Sequence, residues 1–235
     1  MTKTSGHRFR NRILACLSAQ DYALLEPHLE AVDLPLWRSL EQRNREIDHV
    51  YFIESGIASV VANAQTTRSI EVGLIGREGM SGICALLGAG SSPHDTYMQV
   101  GGAGLRLPTG EFLKAYEASV TLRRCALKYA HIYMVQSAQT AYANGRGRIE
   151  ERLSRWLLMG HDRVEGGELP LTHEFLAMML GVRRPGVTMA LKPLEERGLI
   201  DAQRGVIVIL DRKGLEENAG DFYGVPEAEL KRLFG

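Results

Sequence analysis

In the first half of the chain, apolar residues come in short runs broken by glycine. HVYFIESGIASVVA (49–62) is a β-branched and aromatic run, a turn at Ser55-Gly56 and a second apolar run. SIEVGLIGREGMSG (69–82) and TYMQVGGAGLRLP (96–108) repeat that arrangement. Short strands with turn signals every roughly 8–12 residues predict a sandwich or barrel. The helical patterns that an α/β domain would need between these strands are missing.

The pattern then changes. From about Ala118 to Tyr142 there is no proline or glycine. Leu122, Cys125, Tyr129, Ile132, Gln136, Gln139 and Ala143 recur at steps of three and four, the spacing of one helix face. Such a face fits either a core helix or a dimer seam. The seam is the sharper expectation, because a strand-rich domain covers only one side of a helix. Asn144-Gly145-Arg146-Gly147 breaks the run and marks a hinge. RIEERLSRWLLMGHDRV (148–164) reads as an amphipathic helix, with Ile149, Leu153, Trp156 and Leu157 on one face. The expected division is 1–117 for the strand-rich domain, 118–144 for the long helix and hinge, and 145–235 for the remainder.

LTHEFLAMMLGVRRPGVTMALKPLEERGLI (171–200) is the most informative stretch. Thr172 is a good N-cap, although Phe175 three positions on rules out a full capping box. Phe175, Leu176 and Leu180 give the first helix an apolar face, and Gly181 ends it. A second helix starts about two residues later. It turns Val187, Ala190, Leu191 and Leu194 inward, tolerates Pro185 in its first turn and stops at Gly198. Two short helices joined by a tight glycine turn form a helix-turn-helix, whose second helix enters the major groove of DNA. LIDAQRGVIVILD (199–211) comes next as a hairpin with Arg204-Gly205 at its tip, a wing able to reach phosphate through Arg204.

Bulk composition narrows the alternatives. The 235 residues carry 28 basic and 28 acidic side chains, so any nucleic-acid contact must come from a local cluster. Arg183, Arg184, Lys192 and Arg197 against Glu195 and Glu196 supply one, net +2 in a neutral chain. No apolar run is long enough to span a membrane, and the basic N-terminus lacks the apolar core of a signal peptide. Cys16, Cys84 and Cys125 are odd in number and far apart, which predicts free thiols and a cytoplasmic setting. Enzyme readings fail on pattern. GAGSSPH (88–94) is no nucleophile elbow, the glycines of VGLIGREGMSG do not fit a dinucleotide fingerprint, and no His or Cys pair has zinc-ligand spacing. The competing binding-module reading, a ligand-gated signalling domain whose helix-turn-helix contacts protein, is disfavoured by Arg183 and Arg184.

With these motifs in place the chain resembles the Crp/Fnr superfamily over nearly its whole length. VYFIESG and GLIGREG match its sensor roll, RIEERLSRWLL leads into the DNA-binding domain, and RGVIVILDRKGLE matches the wing and the segment after it. The resemblance implies an α+β fold: an N-terminal cyclic-nucleotide-binding-like β-roll (jelly roll), a long dimerisation helix and a C-terminal winged helix-turn-helix. It implies a homodimer on a near-palindromic double-stranded operator, with RNA polymerase as a further partner. Thr172 would touch phosphate and Arg184 would read a guanine. His173, Arg183, Gly186, Thr188, Lys192 and Arg204 complete the expected DNA-contacting set. Pro185 stands where cyclic-AMP-type regulators carry glutamate, so the operator should differ from theirs.

The sensor departs further from the family. Gly82-Ile83 falls where a Gly-Glu pair would hold ribose, and Ile83 cannot accept a hydroxyl hydrogen bond. Asp95-Thr96 falls where an Arg-Ser pair would hold the cyclic phosphate, and a carboxylate repels phosphate. Tyr133 and Met134 replace two small hydroxyl residues on the long helix. The expectation is a roll that does not bind cyclic AMP, with Arg77 and Glu78 of the GREG turn nearest to any small anion that does bind. Cys16 alone supplies no iron–sulfur cluster, and His28, His49, His94 and His131 lack a metal-binding or haem pattern. No metal or other cofactor is expected.

Overall fold

The structure, a computed structural model, describes residues 9–63 and 69–235. The first eight residues of the basic N-terminal stretch lie outside it. Two short helices, α1 (Arg12–Ala15) and α2 (Ala19–Tyr22), precede the strands β1 (Glu30–Leu34), β2 (Ser39–Glu41), β3 (His49–Ile53), β4 (Ile57–Asn63) and β5 (Ser69–Ile75). After the single turn α3 (Ile83–Leu86) come β6 (Asp95–Val100) and β7 (Gly102–Pro108). They form two antiparallel sheets, ordered β1-β7-β3 and β2-β6-β4-β5. The Ser55-Gly56 turn does not close a hairpin: it carries the chain from one sheet to the other. Gly56 (φ 85°) is obligatory there, because a Cβ would lie 2.6 Å from the Val100 carbonyl oxygen.

The helix α4 (Thr109–Ala118) leads into α5 (Val120–Arg146), then α6 (Ile149–His161). The helix α5 runs through Gly145 and breaks only at Gly147, later than the glycine pattern suggested. The C-terminal part holds β8 (Glu168–Leu169), α7 (His173–Leu180), α8 (Arg184–Glu196), β9 (Ile200–Gln203), β10 (Val206–Ile209), α9 (Arg212–Ala219) and α10 (Val225–Phe234). Its sheet order is β8-β10-β9.

The periodic stripe on α5 faces inward. Leu122, Cys125, Tyr129, Ile132 and Gln136 are buried within the chain itself, and Gln139 is half-buried, donating to the Asp221 carbonyl oxygen. This corrects the seam expectation: the stripe packs within the chain, Leu122, Cys125 and Tyr129 on the β-roll and Ile132 and Gln139 toward the C-terminal part. Two glycines allow it. A Cβ on Gly79 would lie 2.1 Å from the Tyr129 ring, and one on Gly73 would lie 2.7 Å from the Tyr133 hydroxyl. Gln136 adds a polar clamp, accepting from Leu74 N–H at 2.6 Å and donating to its carbonyl at 3.3 Å.

The cysteine expectation is corrected as well. Packing of α1 on α5 brings together residues 109 apart in sequence, and Cys16 and Cys125 are joined as a disulfide, leaving Cys84 free. The helix α6 is buried on all sides from Leu153 to Gly160 and is not one-faced, because other helices and strand β8 surround it. Its Arg155 is satisfied by Phe222 O at 3.0 Å and Thr140 Oγ1 at 3.0 Å. No helix among the described residues is long and apolar enough to cross a membrane.

Candidate nucleic-acid interface

The C-terminal interface is built from local signals. Thr172 Oγ1 accepts from Phe175 N–H at 3.3 Å and caps α7. Gly181 adopts the left-handed conformation (φ 63°) that ends α7, with Val182 N–H reaching back to Ala177 O at 2.9 Å. Arg183 is the N-cap residue of α8 but makes no side-chain cap, so its guanidinium is left to solvent. Pro185 sits in the first turn, where no intrahelical N–H is lost. Val187, Ala190, Leu191 and Leu194 are buried against the domain core, which fixes the opposite face outward.

That outward face carries Arg183, Arg184, Thr188 and Lys192, all exposed, with Gly186 half-buried. Thr172 and His173 lie exposed at the start of α7. Arg204 is exposed at the tip of the β9–β10 hairpin, where Gly205 (φ 82°) makes the turn. Two residues that sequence reasoning passed over belong to this face. Glu174 on α7 is 3.7 Å from Arg184, an exposed pair that restrains the guanidinium loosely. Met189 is 71% exposed on α8, an apolar side chain beside the arginines. Arg197, by contrast, is held by Asn218 within the domain.

The expected effector residues do not converge on one pocket. Gly82 donates its N–H to Glu41 Oε1 at 2.8 Å, and buried Thr96 bonds the same carboxylate. Burial pushes the Glu41 carboxyl above its ordinary range. Ile83 is half-buried in α3 and packs on the roll's core. Tyr133 lies against the sheet over Gly73, whereas Met134, one residue on, points away from the roll and is 64% exposed. Arg77 and Glu78 belong to a different place, the seam with α6. There Glu78 and Arg163 form a buried ion pair at 2.7 Å, and Arg77 reaches the Asp162 carbonyl at 3.5 Å. The expected set is therefore corrected: Gly82, Thr96 and Tyr133 gather around Glu41, whereas Met134 faces outward and Arg77 and Glu78 lie at the seam with α6.

A second buried carboxyl lies where the outer face of the roll meets α6. Glu71 accepts from Ser59 and from the Trp156 indole, and burial pushes its pKa up to about 8. Glu41 and Glu71 both face Tyr133. Among the described residues no group of three or more His, Cys, Asp or Glu side chains could hold a metal.

The first helix of the C-terminal motif also docks on the roll. Trp37 stacks on Phe175 at 4.4 Å between ring centroids, and Gln99 Nε2 lies 3.1 Å from Met179 Sδ. Arg183 and Arg184 lie beyond this contact, on the free side of the motif.

Comparison with known proteins agrees with this geometry. Residues 151–218 match the Crp-like helix-turn-helix domain family. Among curated proteins none matches the sequence. A Crp/Fnr family transcriptional regulator from Eubacterium rectale is 19% identical with a TM-score of 0.67, covering 86% of this chain and 95% of that one. FixK2 from Bradyrhizobium japonicum is 16% identical with a TM-score of 0.69, covering 82% and 98% respectively. A CRP family regulator from Thermus thermophilus is 19% identical with a TM-score of 0.68, covering 81% and 97%. Residues 151–218 are thus a Crp-like helix-turn-helix domain, carried on a chain with the fold of Crp/Fnr family transcription regulators.

Proposed function

We propose that the chain is a sequence-specific DNA-binding transcription regulator that acts as a homodimer and whose β-roll does not bind cyclic AMP. The observation that carries the DNA-binding reading is the exposed pair Arg183 and Arg184 at the start of the second helix of a Crp-like motif. A guanidinium there can make paired hydrogen bonds to guanine O6 and N7, each pair giving roughly 1–3 kcal/mol of base discrimination. Pro185 offers no acceptor to cytosine N4, so the site read should lack that contact. Arg204 on the wing would meet phosphate, which fixes register without reading sequence.

The homodimer is supported by the outer face of α5. Arg124, Leu127, His131, Met134, Ala138, Ala141 and Gly145 are all exposed at alternating steps of three and four. That is the seam spacing of paired helices, and the small residues toward the C-terminal end allow close approach. The stripe lies opposite the one buried on the roll. A two-fold dimer of this kind would read a near-palindrome with half-sites about 34 Å apart.

Exclusion of cyclic AMP is supported by the roll's interior. Glu41 and Tyr133 occupy it beside Gly82 and Thr96, and no arginine lies in the 78–105 stretch to hold a phosphate. Calorimetry with cyclic AMP should give no heat of binding, and micromolar affinity would overturn this part. The DNA reading is tested by selecting from random duplexes with wild type, Arg184→Ala and Arg204→Ala. Arg184→Ala should lose sequence preference, whereas Arg204→Ala should weaken all duplexes alike. Equal specificity of Arg184→Ala and wild type would overturn the reading.

A further inference from the structure

Beyond the recognition face, the seam between the β-roll and the C-terminal helices encloses a cavity of about 460 Å³. That size lies within the range of small-molecule sites. The cavity is unusual in its charge. Arg12 on α1 and Arg77 in the GREG turn both line it, and both also line the adjoining cleft between Phe9 and Phe234. The two arginines are tied together by their backbones, Arg12 N–H donating to Arg77 O at 2.8 Å. Both side chains are half-buried, and neither has a carboxylate partner among the described residues. Lys231 on α10 adds a third cation without a carboxylate partner among those residues.

The side-chain carboxylates that line the same cavity, which Gly235 also lines, do not neutralise these three. Glu78 is occupied by Arg163 at 2.7 Å. Asp162 is occupied by Arg212 at 2.8 Å and accepts from the Tyr223 hydroxyl at 2.7 Å. Glu227 accepts from Gly224 N–H at 3.0 Å, and burial raises its pKa, which favours its neutral form. Two unpaired guanidiniums lining one cavity, both partly out of water, favour an anion between them.

We propose that this seam cavity is a binding site for a phosphorylated small molecule, its phosphate held between Arg12 and Arg77 with Lys231 closing the third side. Paired donors on planar guanidiniums suit phosphate oxygens. The walls come from α1, the GREG turn, α5, the end of α6, α9 and α10, so the ligand would join the roll to the C-terminal domain. Neither the roll's interior nor the recognition face takes part, and the site stands or falls independently of DNA binding.

The test needs no DNA. Inorganic pyrophosphate, the simplest phosphate probe, is titrated calorimetrically into the full chain at constant ionic strength. Wild type should show one saturable site. Arg77→Gln and Arg12→Gln should each weaken it at least tenfold, while Lys213→Gln, an exposed cation elsewhere, should leave it unchanged. Lys231→Gln, on the surface of α10, should weaken it severalfold and serves if either arginine variant fails to fold. Absence of saturable binding to wild type, or binding that survives Arg77→Gln or Lys231→Gln undiminished, would overturn the proposal.

Discussion

The second helix of the C-terminal motif and the buried surfaces in and around the β-roll treat charge in opposite ways. On α8, Arg183, Arg184 and Lys192 stand in water, and the contacts they make, such as Glu174 at 3.7 Å from Arg184, are exposed and weak. In and beside the roll, Glu41, Glu71 and Glu78 are buried, and each is met by a donor: Gly82 N–H, the Ser59 hydroxyl or the Arg163 guanidinium. Exposed cations can be released to a partner at little cost, whereas buried carboxyl groups with satisfied partners are fixed into the fold. The first arrangement suits recognition of a large anion, and the second suits holding a shape.

That contrast can be broken at several points. The largest effect is expected at the outer face of α5, where Met134→Glu should convert a dimer to monomer in sedimentation analysis. Tyr129→Ala, on the inner face, should leave the dimer intact while costing about 3–5 kcal/mol of stability, as for other large aromatic truncations in a core. A monomeric wild type, or a dimer unaffected by Met134→Glu, would assign the outer stripe elsewhere. Next is Glu78→Ala, which leaves Arg163 buried without its partner. Urea denaturation should show a loss of about 3–5 kcal/mol, and a loss below about 1 kcal/mol would mean that the pair is solvated.

Glu71 offers a sharper test of the buried side through pH. Its ordinary pKa of 4.5 is raised to about 8 in the folded chain. The folded state therefore holds a proton that the unfolded state has released. The associated stability is complete below about pH 4.5 and is lost as pH rises through about 8, with a slope of at most about 1.4 kcal/mol per pH unit. Glu71→Gln should remove this dependence, so its stability relative to wild type should climb between about pH 5 and about pH 9. A constant difference across that range would contradict the burial of a neutral carboxyl. The smallest effect is on the exposed side. Glu174→Gln frees Arg184 from a surface pair of at most about 1 kcal/mol and should tighten DNA binding by no more than a few fold.

The same contrast explains what could be read from the residues alone. The helix-turn-helix was legible because its signals are local: the Thr172 cap, the left-handed Gly181 and Gly198, and Pro185 in a first turn fall within thirty residues. The roll's strands were legible from their apolar runs, but the sheet each joined was not, since β3 and β4 leave one turn and enter different sheets. The stripe on α5 announced a buried face without saying what buries it. The answer lay at Gly73 and Gly79, some fifty residues away, where the absence of a side chain admits Tyr133 and Tyr129. The outer stripe was present in the same sequence, but its Arg124 and His131 mask the period. Cys16 and Cys125 carried no spacing signal at a separation of 109 residues, and Arg163 gave no sign that it would meet Glu78.

Pulldown of genomic fragments with the purified chain, followed by sequencing, addresses DNA recognition most directly. It should be run without added ligand at about 150 mM salt, because phosphate contacts weaken steeply as salt rises. The Arg183→Ala/Arg184→Ala variant serves as the control. The expected result is a shared near-palindromic motif with half-sites one helical turn apart, enriched by wild type and lost in the variant. Identical fragment profiles for wild type and variant would contradict recognition through the second helix.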